Sequence, residues 1–164
     1  MDDIISQCHK DWRSAGRKEL ANFIAAESDS RLNRKIGIPS VIASAIVATA
    51  VFASLSESVN FWIKIATGFI AIVSAILTAL QTFLAFGDRA EKHLAAAIRF
   101  AKVRRDLDVL ILQCSAPAVL DRNEALEALK AMGEELSLAE KDTPPLSRGE
   151  YAAGAKGFDE THPL

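Results

Sequence analysis

Two stretches of this 164-residue chain carry no charged side chain: residues 36–56 and 65–87. None of the 19 Lys and Arg or 21 Asp and Glu residues falls in either stretch. As helices rising about 1.5 Å per residue, these 21 and 23 residues would reach roughly 31 and 34 Å, matching a hydrocarbon core about 30 Å thick. A helix in a soluble bundle turns one face to water and seldom runs past about twenty residues without a charge. The expected fold is therefore an all-α membrane protein: a two-span transmembrane helical hairpin with N-terminal and C-terminal cytoplasmic helices. Its divisions are an N-terminal helical segment (1–35), a first span (36–56), a short extracytoplasmic loop (57–64), a second span (65–87), cytoplasmic helices (88–141) and a mobile tail (142–164). The pieces outside the spans are too small for a large catalytic fold. A net charge of −2 also excludes a nucleic-acid binder that works by bulk charge.

Basic residues orient the hairpin. Arg17, Lys18, Arg31, Arg34 and Lys35 precede the first span, and Arg89, Lys92, Arg99, Lys102, Arg104 and Arg105 follow the second. The loop between holds only Lys64, a bias of eleven to one. Positive charge stays on the cytoplasmic side, so both termini are expected there. Phe61 and Trp62 suit an interfacial aromatic belt. The first apolar run starts too far into the chain for a cleaved signal peptide, so it reads as an anchor. Cys8 and Cys114 both fall on the reducing side, where small buried apolar roles suit them better than a disulfide.

Ile5, Cys8, Trp12 and Ala15, then Leu20, Phe23 and Ile24, mark an apolar helical face near the N-terminus, with a bend expected at Gly16. Ser28-Asp29-Ser30 is a candidate cap for a new turn leading into the first span, and Pro39 suits a position near that span's start. After the second span, Ala96, Phe100, Val103, Leu107, Leu110, Ile111 and Cys114 form an apolar stripe with no Gly or Pro upstream of it to residue 88. The second span is thus expected to continue into one rod of about fifty residues, broken at Pro117. A further helix over 121–141, capped by Asp121 or Asn123, places Leu126, Leu129, Met132 and Leu136 on one face. These stripes need cover, either from each other or from other copies.

Small residues at steps of four mark helix contact faces in lipid: Ser40, Ser44 and Ala48 in the first span, with Ala45, Thr49 and Ala53 beside them, and Ala71, Ala75 and Ala79 in the second. The second span also has a polar face of Thr67, Ser74, Thr78, Gln81 and Thr82 opposite a bulky apolar one. Gln81 is the costliest of these, because its amide needs partners at low dielectric. Two arrangements satisfy the face: bonding to the first span, or gathering of several copies with the face inward around a pore. No ionisable residue lies in either span, which argues against a proton relay or voltage sensor.

Chemistry is sparse elsewhere. The three histidines His9, His93 and His162 complete no metal set, and Cys8-His9 diverge by about 100° on a helix. Gly154 and Gly157 follow no strand, so they form no phosphate loop. No nucleophile pairs with a base, and neither enzyme activity nor a cofactor is expected. His93, Arg99, Arg104 and Arg105 are candidate juxtamembrane contacts for an anionic cue or lipid headgroups; the plainer account is an ordinary basic surface.

The layout resembles the SLATT family, the SMODS and SLOG-associating two-transmembrane effector domains. The likeness covers roughly residues 5–115 and rests on an N-terminal helix, a short-looped hairpin and a long helix after the second span. Its local signature is Ala90-Glu91-Lys92-His93, then Phe100, then Arg104-Arg105. Phe100 stands where the family more often has Tyr. The resemblance implies an oligomeric inner-membrane effector of a nucleotide-signal-linked bacterial defence system, one that perturbs the membrane as a pore. It also implies a sensor or nucleotide-second-messenger synthase as partner, with the lipid bilayer and further copies of the chain. The rival reading is a non-catalytic membrane-anchored scaffold that docks a soluble cytoplasmic partner.

Overall fold

The computed structural model describes residues 1–54, 61–116 and 120–163. Those residues are helical, without strands, in the order α1 (Asp2–Ser54), α2 (Phe61–Leu84), α3 (Phe86–Ser115), α4 (Arg122–Asp142) and α5 (Arg148–Thr161). The expected loop positions 57–60 and the helix break at Pro117 lie outside the described residues, as does the side chain of the contact position Ala53. Contacts divide the chain into two compact units. Met1–Glu27 with Arg89–Leu164 form one, and Ser28–Asp88 form the other.

The first unit packs the N-terminal half of α1 with α3, α4 and α5. Its core joins Ile4, Cys8 and Ala15 of α1, Phe100, Val103, Leu107 and Leu110 of α3, and Ala125, Leu136 and Ala139 of α4. On α3 the buried positions recur at alternating steps of four and three, the period that keeps one helical face inward. On α4 the inward residue is Ala125, while Leu126, expected inside, is exposed. One residue's rotation of about 100° separates them, and the smaller side chain takes the close contact. Asp121 caps α4 through a reciprocal box with Glu124, which satisfies two of the backbone donors at the helix start.

Residues 142–164 were expected to be a mobile tail, but 148–161 form α5. Ser147 and Glu150 close a capping box at its start. Its low apolar content is offset by shape. A side chain at Gly154 would collide with the backbone of Ala21, and one at Gly16 would collide with the Phe158 ring. Phe158 is buried, and the Arg17 guanidinium donates to Asp159 at 2.9 and 3.0 Å. The glycines that looked like loop residues are the close contacts of a helix pair. This also accounts for α1, whose buried positions here include the small residues Ala15, Gly16, Ala21, Ala25 and Ala26 beside Asn22, while Phe23 is exposed.

Three further expectations about continuity need correcting. Helix α1 runs unbroken through Ser28-Asp29-Ser30, so no new cap starts there. Pro39 consequently lies inside the helix. It withholds one backbone donor, a loss that membrane helices tolerate. The expected fifty-residue rod is interrupted at Ala85, whose φ of 43° is left-handed. Its amide still donates to the Gln81 carbonyl at 3.1 Å, closing α2. Such a conformation costs an alanine about 1 kcal/mol, and no Gly or Pro announces it.

The second unit pairs residues 28–54 of α1 with α2. Ser40 bonds Thr78 at 2.9 Å and Ser44 bonds Ser74 at 2.7 Å. As the index rises by four on α1 it falls by four on α2, so the helices run antiparallel. Bulky side chains point away from this seam: Val41 is 70%, Phe69 68% and Phe83 86% exposed. Among the described residues, one stretch, Phe61–Ser115, taken through the break at Ala85, is long and apolar enough to cross a membrane. Its most apolar window has a mean hydropathy of 2.2 and is 6% buried.

Candidate functional site

The polar face of α2 is divided by its partners. Ser74 and Thr78 reach across to Ser44 and Ser40, and Ser40 and Ser74 are buried. Each hydroxyl that donates can also accept. Thr78 thus bonds the Ser74 carbonyl as well at 2.9 Å, and Ser44 bonds the Ser40 carbonyl at 2.9 Å. Gln81 donates to Asn33 at 3.4 Å, a long bond, and lies against Gly37, where any side chain would displace it. Thr67, half-buried, and Thr82, exposed, belong to the same sequence stripe but bond no residue of α1 among the described residues. They donate to the carbonyls of Ile63 and Thr78 on their own helix. The stripe therefore comprises three residues that bond α1 and two that bond carbonyls of their own helix.

Beside the hydroxyl seam lies an open groove of about 870 Å³. Its walls are Ser44, Val47 and Ala48 on α1 and Ala71, Ser74, Ala75, Thr78, Ala79, Thr82 and Phe83 on α2. Small side chains leave it unfilled, and two rows of hydroxyls give it a polar edge. The sequence singled out the α2 residues of this site. It set Ser40 and Ser44 down as packing positions only, although their spacing of four matches that of Ser74 and Thr78 and was the available signal. Asn33 was missed, because an amide beside a charged juxtamembrane run looks like solvated surface.

The four candidate juxtamembrane contacts all lie in the first unit, and the structure gives them different surroundings. His93 is 1% exposed and faces Asn22 at 2.8 Å. The Asn22 amide nitrogen is taken by the Lys18 carbonyl, so its oxygen meets the ring and His93 Nδ1 carries the proton. Burial removes His93 from any headgroup role. Arg99 pairs with Asp142 at 2.7 Å. Arg104 pairs with Glu19 at 2.7 Å and lies 5.8 Å over the Trp12 ring. Arg105 is exposed and bonds the Ala101 carbonyl. Arg99 and Arg105 thus stay at the surface, whereas His93 and Arg104 do not keep the open position expected of them.

Cys8 and Glu150 in this unit are displaced from their ordinary values. Burial pushes the Cys8 thiol up, and the neighbouring Cys114 and Asp11 add to it. Burial also pushes the Glu150 carboxyl up, but hydrogen bonds from Ser147 and the nearby His93 and Arg89 outweigh it and hold Glu150 below the usual carboxylate range. Among the described residues no cluster of His, Cys, Asp and Glu could hold a metal ion.

The model of SMODS and SLOG-associating 2TM effector domain family 4 matches residues 23–162, most of the chain. The chain belongs to this family. No curated protein and no solved structure matches it. The match extends past the 5–115 of the sequence likeness and takes in α4 and α5, so the segment first read as a tail is part of the SLATT domain. Membership makes this a two-transmembrane effector domain of the kind associated with defence systems, and suggests a membrane location.

Proposed function

We propose that this chain is an oligomeric inner-membrane effector whose second unit gathers with other copies and lets water or ions through. Residues 36–56 and 65–87 both cross the bilayer, with both termini in the cytoplasm. The first unit receives a cue from a sensor or nucleotide-second-messenger synthase. The protein performs no catalysis and takes no cofactor. The observation that carries this reading is the groove of the second unit. It is a face of mostly small residues edged by hydroxyls, with Val47 and Phe83 the larger side chains in its walls, on a helix pair that turns other bulky apolar side chains outward. Helices associate in lipid through such narrow faces, because lipid supplies no hydrophobic drive between them. To move the population from 1:99 to 99:1 open, the cue must favour the open packing by about 5.5 kcal/mol.

Inducing the full-length chain in bacteria and following membrane potential with a dye tests this reading. The comparison is Ala75→Leu with Ala79→Leu, which fills the groove and leaves the seam hydroxyls in place. Depolarisation by the parent, abolished in a double variant inserted at equal level, is the expected result. Equal depolarisation by an inserted double variant contradicts the pore. The scaffold reading draws on one observation, that Ser74 and Thr78 already bond within a single chain. It requires a flat trace from both proteins and a stoichiometric soluble partner retained in detergent.

A further inference from the structure

We infer that the second unit carries a binding site for one anionic phospholipid, built around Arg34; this rests on the membrane reading above. The site is an open cleft of about 360 Å³ lined by Asn33, Arg34, Gly37, Ile38, Val41, Ile42 and Gln81. Its chemistry is graded along α1. Arg34, Asn33 and Gln81 supply a cation and two amides at one end, and exposed Ile38, Val41 and Ile42 form the other. The change of character falls at residue 35, the last charged residue before the uncharged stretch begins.

From Arg34 to Ile42 the helix rises about 12 Å. Half the difference between a bilayer's full thickness and its hydrocarbon core leaves a headgroup layer of roughly 5–8 Å per leaflet. The cleft therefore starts at phosphate depth and ends among acyl chains. Arg34 is exposed, and its one hydrogen bond is a 3.5 Å contact to Ser30. Among the described residues it has no ion pair, unlike Arg17, Arg99 and Arg104. No carboxylate lines the cleft. A guanidinium in this setting suits a phosphate diester, which it can meet with two parallel N–H donors.

The Gln81 amide is spent only on the long bond to Asn33, so it retains a donor for an ester carbonyl. Gly37 makes this possible, because any side chain there would push Gln81 out of the cleft. A soluble anion would leave three exposed apolar side chains uncovered, whereas a lipid covers them with its own acyl chain. The occupant is thus an anionic glycerophospholipid rather than free phosphate. In this arrangement Gln81, the costliest polar residue of the second span, has a ligand to satisfy it.

The test is native mass spectrometry of the full-length protein in detergent, titrated with phosphatidylglycerol and with phosphatidylcholine of the same chains. Arg34→Gln is compared with Lys35→Gln, a neighbouring cation outside the cleft. Flotation of each protein with phosphatidylglycerol vesicles runs alongside. One basic contact near a headgroup is worth about fivefold in affinity. The expected result is one phosphatidylglycerol per chain, preferred over phosphatidylcholine by about that factor. The preference is lost in Arg34→Gln and kept in Lys35→Gln, and inorganic phosphate does not compete. Equal binding by Arg34→Gln, equal loss in both variants, or displacement by inorganic phosphate each overturns the site. A parent protein that fails to float overturns the membrane reading itself, whereas one that floats without the preference overturns only the lipid site.

Discussion

The two units solve opposite problems with the same secondary structure. In the first, Phe100, Leu107 and Leu110 are at most 2% exposed, and the ion pairs lie outside them. In the second the order is inverted: serines and a threonine hold the seam, and phenylalanines, isoleucines and valines face outward. Water rewards burying apolar surface. Lipid gives no such reward and penalises an unpaired polar group instead. On the membrane reading proposed above, the difference between the units is a difference of solvent, expressed in which side chains each helix turns inward. Helix α1 takes part in both arrangements along one unbroken run, with its charges on the part that serves the first unit and its juxtamembrane turn.

The largest expected effect that sharpens this contrast is in the first unit. Phe158→Ala empties the contact with Gly16 and Trp12, at a cost of about 3 kcal/mol for a buried phenylalanine. Proteolysis of membrane-inserted protein should then cut readily in the 143–147 connection, while the helix pair of the second unit stays protected. Unchanged cleavage would mean that α5 contributes little to this unit. A smaller effect is expected in the second unit. Ser44→Ala with Ser74→Ala removes one interhelical bond, and such bonds are worth about 0.6 kcal/mol in lipid. A loss above about 2 kcal/mol in a detergent unfolding titration would contradict the idea that small-residue packing, more than hydroxyl bonding, holds this pair.

The smallest effect concerns pH. The Glu150 carboxyl lies below its ordinary value, so its contribution to holding α5 is present above the unfolded value. That contribution is lost as pH falls through the lower, folded value. Acid should loosen α5 in the wild type, and Glu150→Gln should show a flatter profile over the same window. Hydrogen exchange in 148–161 reads this out, and identical profiles would remove Glu150 from the account.

Features that follow from periodicity were legible in the sequence. The stripe of α3 appeared because a helix with one face in a core must repeat at three and four, and the uncharged stretches appeared because lipid excludes charge. The Asp121 cap carries its own short signature with Glu124. What was hidden depended on contacts between distant residues. Gly154 and Gly157 look like tail residues until Ala21 and Leu20 are placed against them. Ala85 adopts a left-handed conformation without the glycine that usually marks one. The polar face of α2 was visible, but whether its hydroxyls close on α1 was decided by the register of Ser40 and Ser44. His93 looked like a basic surface residue, because nothing near it in sequence shows that Asn22 meets it.

The central claim, that one unit meets lipid and the other water, can be tested at two side chains of similar exposure. Ile72 in α2 is 60% exposed and Leu112 in α3 is 71% exposed. The native thiols Cys8 and Cys114 are buried, and Cys8 is further quieted by its raised pKa. Cysteine is introduced singly at each position, and inside-out membrane vesicles are treated with a hydrophilic maleimide before and after detergent denaturation. Rapid labelling of Leu112→Cys in intact vesicles, with Ile72→Cys labelled only after denaturation, is the predicted result. Equal labelling of both in intact vesicles would place α2 in water and contradict the account.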